Sequence, residues 1–453
     1  MAEAVRHDKT ARQLRLLSDA LDSGRLGPVR RLVNTLSPAE IGNLLESLPP
    51  GKRTVVWGLV DPEDDGEVLV HVGDEVREGL IADMDPDEIL AAVEDLDIDD
   101  LADLVEDLPD TVIDEVLKSM DRENRERLEQ VLSFDEDTAG RLMNPDVVTV
   151  RADTTVDVVL RYLRLRGELP EHTDHLYVVN RRHQLIGWVA IQDLVTSDPN
   201  VQINKLIDDE LESIHVDESD AEVARQFSDN DWVSAPVVDE RNVLLGRITI
   251  DDVVDIIREQ AEHQALGAAG LGEDEDLFSP VWRAMRRRLI WLSVNLCTAF
   301  IAASVVGQFE GTIDKLVALA VLMPIVAGLG GNAGTQVLAL MVRGLALGQV
   351  GASNIRFLLW KELRVALLNG LLMGMVLALI VLAWFRSPGL SAVIFVALTC
   401  NLLLAASAGV LIPVTVKRMG FDPALASGIF LTAITDSMGF FTFLGLATLV
   451  LLH

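Results

Sequence analysis

Pro324-Ile-Val-Ala-Gly-Leu-Gly-Gly-Asn-Ala-Gly-Thr-Gln336 is the stretch around which the rest of the chain can be interpreted. It lies inside an apolar run, residues 316–342, that is long enough to cross a bilayer with some tilt. One proline and four glycines weaken a helix, and membranes tolerate such breaks where the freed backbone groups face protein or water. We therefore expect a discontinuous helix that exposes carbonyl groups to an ion near Gly330–Gly334. The alternative is a continuous helix whose glycines allow close packing against a neighbour.

The net charge of −32 is distributed very unevenly along the 453 residues. From Arg283 onward there are 12 Lys and Arg against 5 Asp and Glu, a net charge of +7. The first 282 residues therefore carry 26 basic and 65 acidic residues, a net charge of −39. An acidic surface of this kind repels nucleic acid and attracts cations, so we expect divalent cations and no nucleic acid as partners.

Four further apolar runs after Arg283 predict a domain of five membrane spans over 283–453, at about 289–308, 316–342, 357–384, 390–416 and 424–452. The N-terminal segment is charged and has no apolar core, so we expect no signal peptide and a cytosolic N terminus. Ten basic residues then flank the cytosolic ends of the spans and two flank the outer ends. This asymmetry predicts an outside C terminus. The ten are Arg283, Arg286, Arg287, Arg288, Arg343, Arg356, Lys361, Arg364, Lys417 and Arg418.

Asp436 is the acidic residue that the sequence places near the middle of the last span. An intramembrane carboxylate costs about 2.5–3.5 kcal/mol on insertion scales and usually faces a cavity, a partner or an ion. No basic residue shares its depth, which favours a cation site. The alternative is a carboxyl that is protonated or bonded to a hydroxyl group such as that of Thr432 or Thr435. Oxygen ligands suit Mg²⁺ or Ca²⁺, and Mg²⁺ would remain largely hydrated at so sparse a site.

Residues 1–132 predict an acidic domain of short helices. Ser37 and Glu40 have the spacing of a capping box, and similar units recur up to about Val112. We expect a helical superhelix. Asp99 and Asp103, four residues apart, lie on one helix face. Such a pair binds a cation or simply faces water.

An internal repeat follows. Leu176–Val195 aligns without gaps to Ala235–Val254, and each copy reads strand, polar turn, strand and helix. The pair resembles tandem cystathionine-β-synthase (CBS) domains, here 133–258. The resemblance implies an adenine-nucleotide site with Asp193 or Asp252 positioned for a ribose, with ATP as the candidate ligand; many such pairs are purely mechanical.

Four motifs in order along the chain resemble the MgtE family of magnesium transporters. They are Ser133–Met143, Pro324–Gln336 with the following Arg343-Gly-Leu-Ala, Phe421–Gly428, and Thr432–Phe440. The resemblance implies a homodimeric Mg²⁺-selective channel in the inner membrane, with a pore on the two-fold axis. It further implies that the N domain, the CBS pair and a connecting plug helix (259–282) bind cytosolic Mg²⁺ and close that pore.

The same resemblance assigns individual residues. It makes Asp436 the pore carboxylate, places Asn332 in the pore lining and makes Asp422 an inner-mouth ligand that meets the plug. Asp252 and Asp255 match the acidic end of the CBS pair, and we expect Asp99 and Asp103 to face Asp252.

The plug departs from the family pattern. It reads Glu259-Gln-Ala-Glu-His-Gln264 where the family often carries a more acidic run, so Glu259 and Glu262 are the remaining candidate ligands.

Three functions remain open at this point: Mg²⁺ transport, transport of another divalent cation such as Mn²⁺, Co²⁺ or Ca²⁺, and a membrane metal receptor that transports nothing. The chain has no nucleophile constellation, no His or Cys cluster and no P-loop, so we predict that it is not an enzyme.

Overall fold

A computed structural model describes residues 20–21, 26–94, 96–105, 107–108, 110–208, 212–267, 271, 276–351 and 353–452. The segment used to argue against a signal peptide, and residues 268–270 and 272–275 of the predicted linker, lie outside the described residues. The described chain forms two compact units. The first runs to Glu259 and includes residues 276–279. The second contains residues 260–267 and 271 and those from Pro280 onward.

The first unit begins with short helices, as the sequence predicts. Ser37 caps α2: its Oγ accepts from the Glu40 N–H at 3.3 Å, and the Glu40 carboxylate accepts from the Ser37 N–H at 3.1 Å. This closes the predicted capping box, which satisfies two N–H groups at the helix start. The helices are α1 (Leu26–Val33), α2 (Pro38–Glu46), α3 (Pro50–Trp57), α4 (Asp65–Val70), α5 (Asp74–Ile81), α6 (Pro86–Val93), α7 (Ile98–Val105), α8 (Asp110–Ser119) and α9 (Arg122–Val131).

The repeat forms two small sheets of the same topology, β1-β2-β3 and β4-β5-β6, each with one parallel and one antiparallel pair. Glycine occupies the matching positions of the two repeats because another backbone segment lies close to each of them. A Cβ on Gly187 would lie 2.4 Å from the Asp208 carbonyl oxygen, and one on Gly246 would lie 2.8 Å from that of Asn144. The elements are α10 (Ala139–Leu142), β1 (Thr149–Val150), α11 (Val156–Arg166), β2 (His175–Val179), β3 (Leu185–Ala190), α12 (Ile191–Thr196), β4 (Ile214–His215), α13 (Asp220–Asn230), β5 (Ser234–Val238) and β6 (Leu244–Thr249).

The N-terminal helices and the second repeat share one hydrophobic core. Leu104 of α7, Leu128 of α9 and Ile248 of β6 are buried in it. Across this junction the Arg141 guanidinium donates to the Ala102 carbonyl at 2.8 Å. The N-terminal helices and the second CBS module are therefore packed around one core within the first unit.

Helix α14 (Ile250–Gly267) follows β6 without a break. Its residues up to Glu259 belong to the first unit and those after it to the second. The segment that precedes Pro280 returns to the N-terminal helices. There Asp276 forms an ion pair of 2.8 Å with Arg53, and Ser279 donates to Glu75 at 2.7 Å. Both members of the Arg53–Asp276 pair are buried.

Within the described residues, the second unit contains five helices that are long and apolar enough to cross a membrane. This confirms the predicted five-span domain, and the chain is a multi-pass membrane protein. The helix ends lie within a few residues of the predicted span ends, except that the first helix begins at Val281 instead of Leu289. A short helix, α16 (Glu310–Lys315), lies between the first two. The five are α15 (Val281–Gly307), α17 (Ala318–Ala346), α18 (Ile355–Phe385), α19 (Pro388–Arg418) and α20 (Pro423–Leu451).

The expected break in the second span is wrong: α17 is one continuous helix with Pro324 inside it. Two of the four glycines in this stretch, Gly330 and Gly334, allow close packing instead. A Cβ on Gly334 would lie 2.9 Å from the Leu431 side chain of α20, and one on Gly330 would lie 2.2 Å from the amide nitrogen of Asn401 in α19. Because two neighbouring helices approach this closely, the helix is supported along its glycine face, and no run of free carbonyl groups is exposed at Gly330–Gly334.

Candidate functional site

Acidic side chains of α7 and of the first part of α14 face each other in the first unit. Burial, and then the charge of Asp252, raises the pKa of Asp99 well above its ordinary value. Burial, followed by the charges of Asp251 and Asp100, raises the pKa of Asp252 to about 7. The predicted proximity of Asp99 and Asp252 is therefore present, and the two carboxylates oppose each other's ionisation.

The same face extends further than the sequence predicts. Burial raises the pKa of Asp100 to about 7, with further contributions from the charges of Asp97, Asp103, Asp251 and Asp255. Sequence spacing singled out Asp99 and Asp103 and missed Asp100 and Asp97, although the run Asp97-Ile-Asp-Asp100 is visible in the sequence. We call Asp97, Asp99, Asp100, Asp103, Asp251, Asp252, Asp255 and Glu259 the acidic face.

Glu259 is the member of the acidic face that lies closest in sequence to the membrane helices. Loss of hydration and then the charges of Asp255, Asp74 and Asp103 raise its pKa to about 7. It therefore belongs to the same electrostatic cluster as the predicted ligands Asp103 and Asp255. Within the described residues, no three carboxylate, His or Cys groups stand close enough together to enclose a metal ion as they are placed.

Hydrogen bonds hold part of the acidic face in place. The Asn144 amide donates to both Asp97, at 3.2 Å, and Asp99, at 3.1 Å. Asp252 accepts from the backbone N–H and the hydroxyl of Thr249, at 3.3 and 3.2 Å. These bonds orient single carboxylates.

Asp193, the other residue predicted at a nucleotide site, occupies the position in the first repeat that Asp252 occupies in the second. It is exposed in α12. The structure does not bring Asp193 into the acidic face, so the two aspartates of the predicted nucleotide site have different surroundings.

Asp422 caps α20 and also contacts the end of α14. Its carboxylate accepts from the N–H groups of Ala424, at 2.9 Å, and Leu425, at 3.1 Å. Its Oδ2 lies 3.0 Å from Nε2 of His263. One turn further on, a Cβ on Gly267 would lie 3.1 Å from that of Ala424, so the backbones approach closely. The predicted meeting of Asp422 with the plug therefore occurs through a histidine, which sequence comparison with the family pattern did not single out.

Asp436 lies near the midpoint of the 29-residue α20 and is partly exposed. In the described chain no hydrogen bond or ion pair engages its carboxylate. The alternative partners are occupied elsewhere: Thr432 donates to the Gly428 carbonyl at 3.0 Å and Thr435 to that of Thr432 at 3.1 Å. The other acidic residue within a described span, Glu362, forms an ion pair of 2.7 Å with Lys361.

Asn332 is exposed on α17. It follows Gly330 by two residues, which places it about 200° around the helix from the glycine that packs against α19. The side chain is therefore on the side of α17 that the neighbouring helices leave uncovered.

Protein-family models match the chain in the order of its domains. The MgtE family model, described as a divalent cation transporter, matches residues 323–446, and the MgtE intracellular N domain model matches 36–137. The CBS domain model matches 139–199 and 203–259.

Curated relatives match almost the whole chain. The magnesium transporter MgtE of Thermus thermophilus is 31% identical over 443 residues, covering 96% of this chain and 98% of the relative. That of Enterococcus faecalis is 29% identical, covering 96% and 97%. Among solved structures, the cytosolic domain of the Mg²⁺ channel MgtE in complex with ATP is 31% identical, with a TM-score of 0.48, and covers 53% of this chain and 98% of that one.

Proposed function

Because the chain belongs to the MgtE family of magnesium transporters, we propose that it is a Mg²⁺-selective channel that cytosolic Mg²⁺ closes. The protein is a divalent cation transporter of this family with a regulatory domain. Its relatives are transporters rather than enzymes.

The permeation proposal depends on the position and surroundings of Asp436. It is a carboxylate halfway along a membrane helix, and no described side chain neutralises it. Holding such a group without a partner is costly unless a cation visits it. A single carboxylate suits an ion that must also leave, since binding at several ligands would trap it. Mg²⁺ would pass largely hydrated, with Asn332 contacting its water shell.

The acidic face supports the gating proposal. The pKa values of Asp99, Asp100 and Asp252 are raised because burial and then the charges of neighbouring carboxylates oppose their ionisation. A divalent cation between α7 and α14 would relieve that repulsion and draw the two helices together. We assign regulatory Mg²⁺ to Asp99, Asp103, Asp252, Asp255 and Glu259. Depletion of cytosolic Mg²⁺ would restore the repulsion and let the helices separate.

The contact of His263 with Asp422 supports a closing role for the end of α14. The bond joins α14 directly to the cap of helix α20. Glu259–Gln264 is less acidic than the family pattern, and we infer that the hydrogen bond of His263 takes over part of the role that the resemblance gives to plug carboxylates. Asp422 then acts as the point where closure reaches the pore.

The deciding experiment measures ion flux with the purified full-length protein in liposomes. Mg²⁺ is set against Ca²⁺, Mn²⁺ and Co²⁺ in parallel, and we expect Mg²⁺ flux to exceed the others. Equal or greater flux of another cation would reassign the cargo. Absence of any flux from folded protein would favour a metal receptor that transports nothing.

A homodimer in the inner membrane, with a cytosolic N terminus and an outside C terminus, completes the proposal. The uncovered side of α17, which carries Asn332, is where a second copy would complete a pore. Native mass spectrometry tests the dimer. A tag after His453 should be labelled from outside intact cells. Labelling solely after permeabilisation would place the C terminus inside and contradict the proposed orientation.

Nucleotide binding by the CBS pair is a separate proposal. ATP at Asp193 or Asp252 should raise the melting temperature of the full-length protein, by mass action on the folded state. No shift at millimolar ATP would leave the pair as a mechanical connection between the N domain and α14.

A further inference from the structure

A fully buried amide lies between the two helices that carry Asn332 and Asp436. Asn401 of α19 has an exposed fraction of 0%. Its Nδ2 donates to the Val326 carbonyl of α17 at 2.9 Å. Its Oδ1 is buried and has no hydrogen-bond partner among the described residues. Because an amide is expensive to place in an apolar interior, its retention at this position calls for a specific reason.

Both helices make room for this side chain. A Cβ on Gly330 of α17 would lie 2.2 Å from the Asn401 amide nitrogen, and a Cβ on Gly439 of α20 would lie 2.8 Å from it. Gly330 precedes Asn332 by two residues, and Gly439 follows Asp436 by three. The amide is therefore in contact with both helix backbones at the level of the two candidate pore residues.

We propose that Asn401 is a positioning residue for ion selection, an inference that rests on the proposed pore role of Asp436 and Asn332. Its directed bond to Val326 fixes the register of α17 against α19, and its volume sets how closely α17 and α20 approach. A polar residue in an apolar interface specifies register in this way, where apolar packing alone tolerates sliding. The separation of Asn332 from Asp436, and hence the size of hydrated cation that fits, follows from this spacing.

Thr399 provides a matched control on the same helix. A Cβ on Gly370 of α18 would lie 2.9 Å from the Thr399 side chain, so it also packs against a glycine of a neighbouring helix. Its hydroxyl, however, donates to the Phe395 carbonyl of its own helix at 2.8 Å. Like Asn401, Thr399 is a polar residue of α19 that contacts a glycine of a neighbouring helix. It faces α18, however, which carries neither candidate pore residue.

The first test compares Asn401→Leu with Thr399→Val in purified full-length protein in liposomes. Asn401→Leu keeps the branch at Cγ and removes the donor and the acceptor; Thr399→Val keeps the branch at Cβ and removes the hydroxyl. We expect a several-fold change in the ratio of Mn²⁺ to Mg²⁺ flux for Asn401→Leu, and the parent ratio for Thr399→Val. The parent ratio in Asn401→Leu, or the same change in both variants, overturns the inference.

The second test remains decisive if Asn401→Leu does not fold. Gly330→Ala introduces a methyl group where the amide stands, and Asn401→Ala removes the amide. We expect each single variant to shift the Mn²⁺ to Mg²⁺ ratio, and the double variant, in which the methyl fills the vacated space, to return toward the parent ratio. Additive effects in the double variant overturn the inference. Asp436→Ala in the same assay tests the pore separately, because retained flux there contradicts the proposed function and not the Asn401 coupling.

Discussion

The acidic face and the Asp436 site hold negative charge in opposite ways. In the acidic face, burial and then the charges of neighbouring carboxylates raise the pKa values of Asp100, Asp252 and Glu259 to about 7. In the membrane unit one carboxylate stands alone near the middle of a 29-residue helix. The first arrangement stores repulsion that a cation can relieve, and the second offers a cation a single contact.

The difference corresponds to two tasks. Moving a two-state equilibrium from 1:99 to 99:1 requires about 5.5 kcal/mol of differential binding, which several carboxylates acting together can supply. Conduction requires the reverse, since an ion held that strongly would not leave. A cluster of carboxylates therefore suits a cation sensor, and a single carboxylate suits an ion-conduction pathway. The four predictions that follow test this division, from the largest expected effect to the smallest.

Asp436→Ala should reduce Mg²⁺ flux in liposomes by about two orders of magnitude, since losing a desolvated charge contact costs roughly 3 kcal/mol and each 1.4 kcal/mol is tenfold. Glu362→Gln is the control, because it removes the other acidic residue of a described span, one that is already paired with Lys361. Equal loss of flux in both variants would mean that any intramembrane charge matters and that Asp436 has no special position.

Asp252→Asn combined with Asp255→Asn should give a channel that stays open in millimolar cytosolic Mg²⁺, because the acidic face loses two charges that a cation would bridge. The measurement is patch clamp of excised membrane while Mg²⁺ is raised on the cytosolic side. Asp229→Asn with Glu240→Gln removes the same charge from exposed positions of the second CBS module and should close normally. Full inhibition of the first pair at parent Mg²⁺ levels would refute the assignment of the sensor.

His263→Ala should weaken inhibition by cytosolic Mg²⁺ a few-fold, since one hydrogen bond contributes about 0.5–1.5 kcal/mol. The same excised-membrane recording gives the half-inhibiting concentration. Gln264→Ala, the neighbouring position in α14, is the control. An unchanged half-inhibiting concentration in His263→Ala would show that the contact with Asp422 takes no part in closure.

Asp65→Asn separates ordinary burial of a carboxylate from cation sensing. Burial, and then the charges of Glu88, Asp61 and Asp64, raises the pKa of Asp65 to about 6. A raised carboxyl pKa stabilises the fold below the unfolded value of 3.8, and this stability is lost as the pH rises through about 6.

The variant should therefore be more stable than the parent at pH 8, by about 1 kcal/mol after allowance for partial exposure, and equal to it near pH 3.8. Thermal unfolding of the full-length protein across this pH range measures the difference. A difference at pH 8 that vanishes on adding Mg²⁺ would instead make Asp65 part of a cation site.

Several features follow from sequence alone, because each depends on local pattern. The capping box of Ser37 and Glu40, the repeat with its matching Gly187 and Gly246, and the five apolar spans all depend on neighbouring residues or on short periodicities. Hydropathy and charge along the chain likewise separate the acidic first part from the membrane part. Local pattern also picked out Asp436, since an acidic residue inside an apolar run is visible without any structure.

Tertiary structure decided what local pattern left open. The glycines near Pro324 predicted a break, yet α17 is continuous, and Gly330 and Gly334 pack against side chains of α19 and α20 that lie far away in sequence. Asp100 belongs to the acidic face, and His263 contacts Asp422, because the folded chain brings residues together that are distant in sequence. A glycine, a carboxylate or an amide has several uses, and only the residues brought against it from distant parts of the chain determine which one applies.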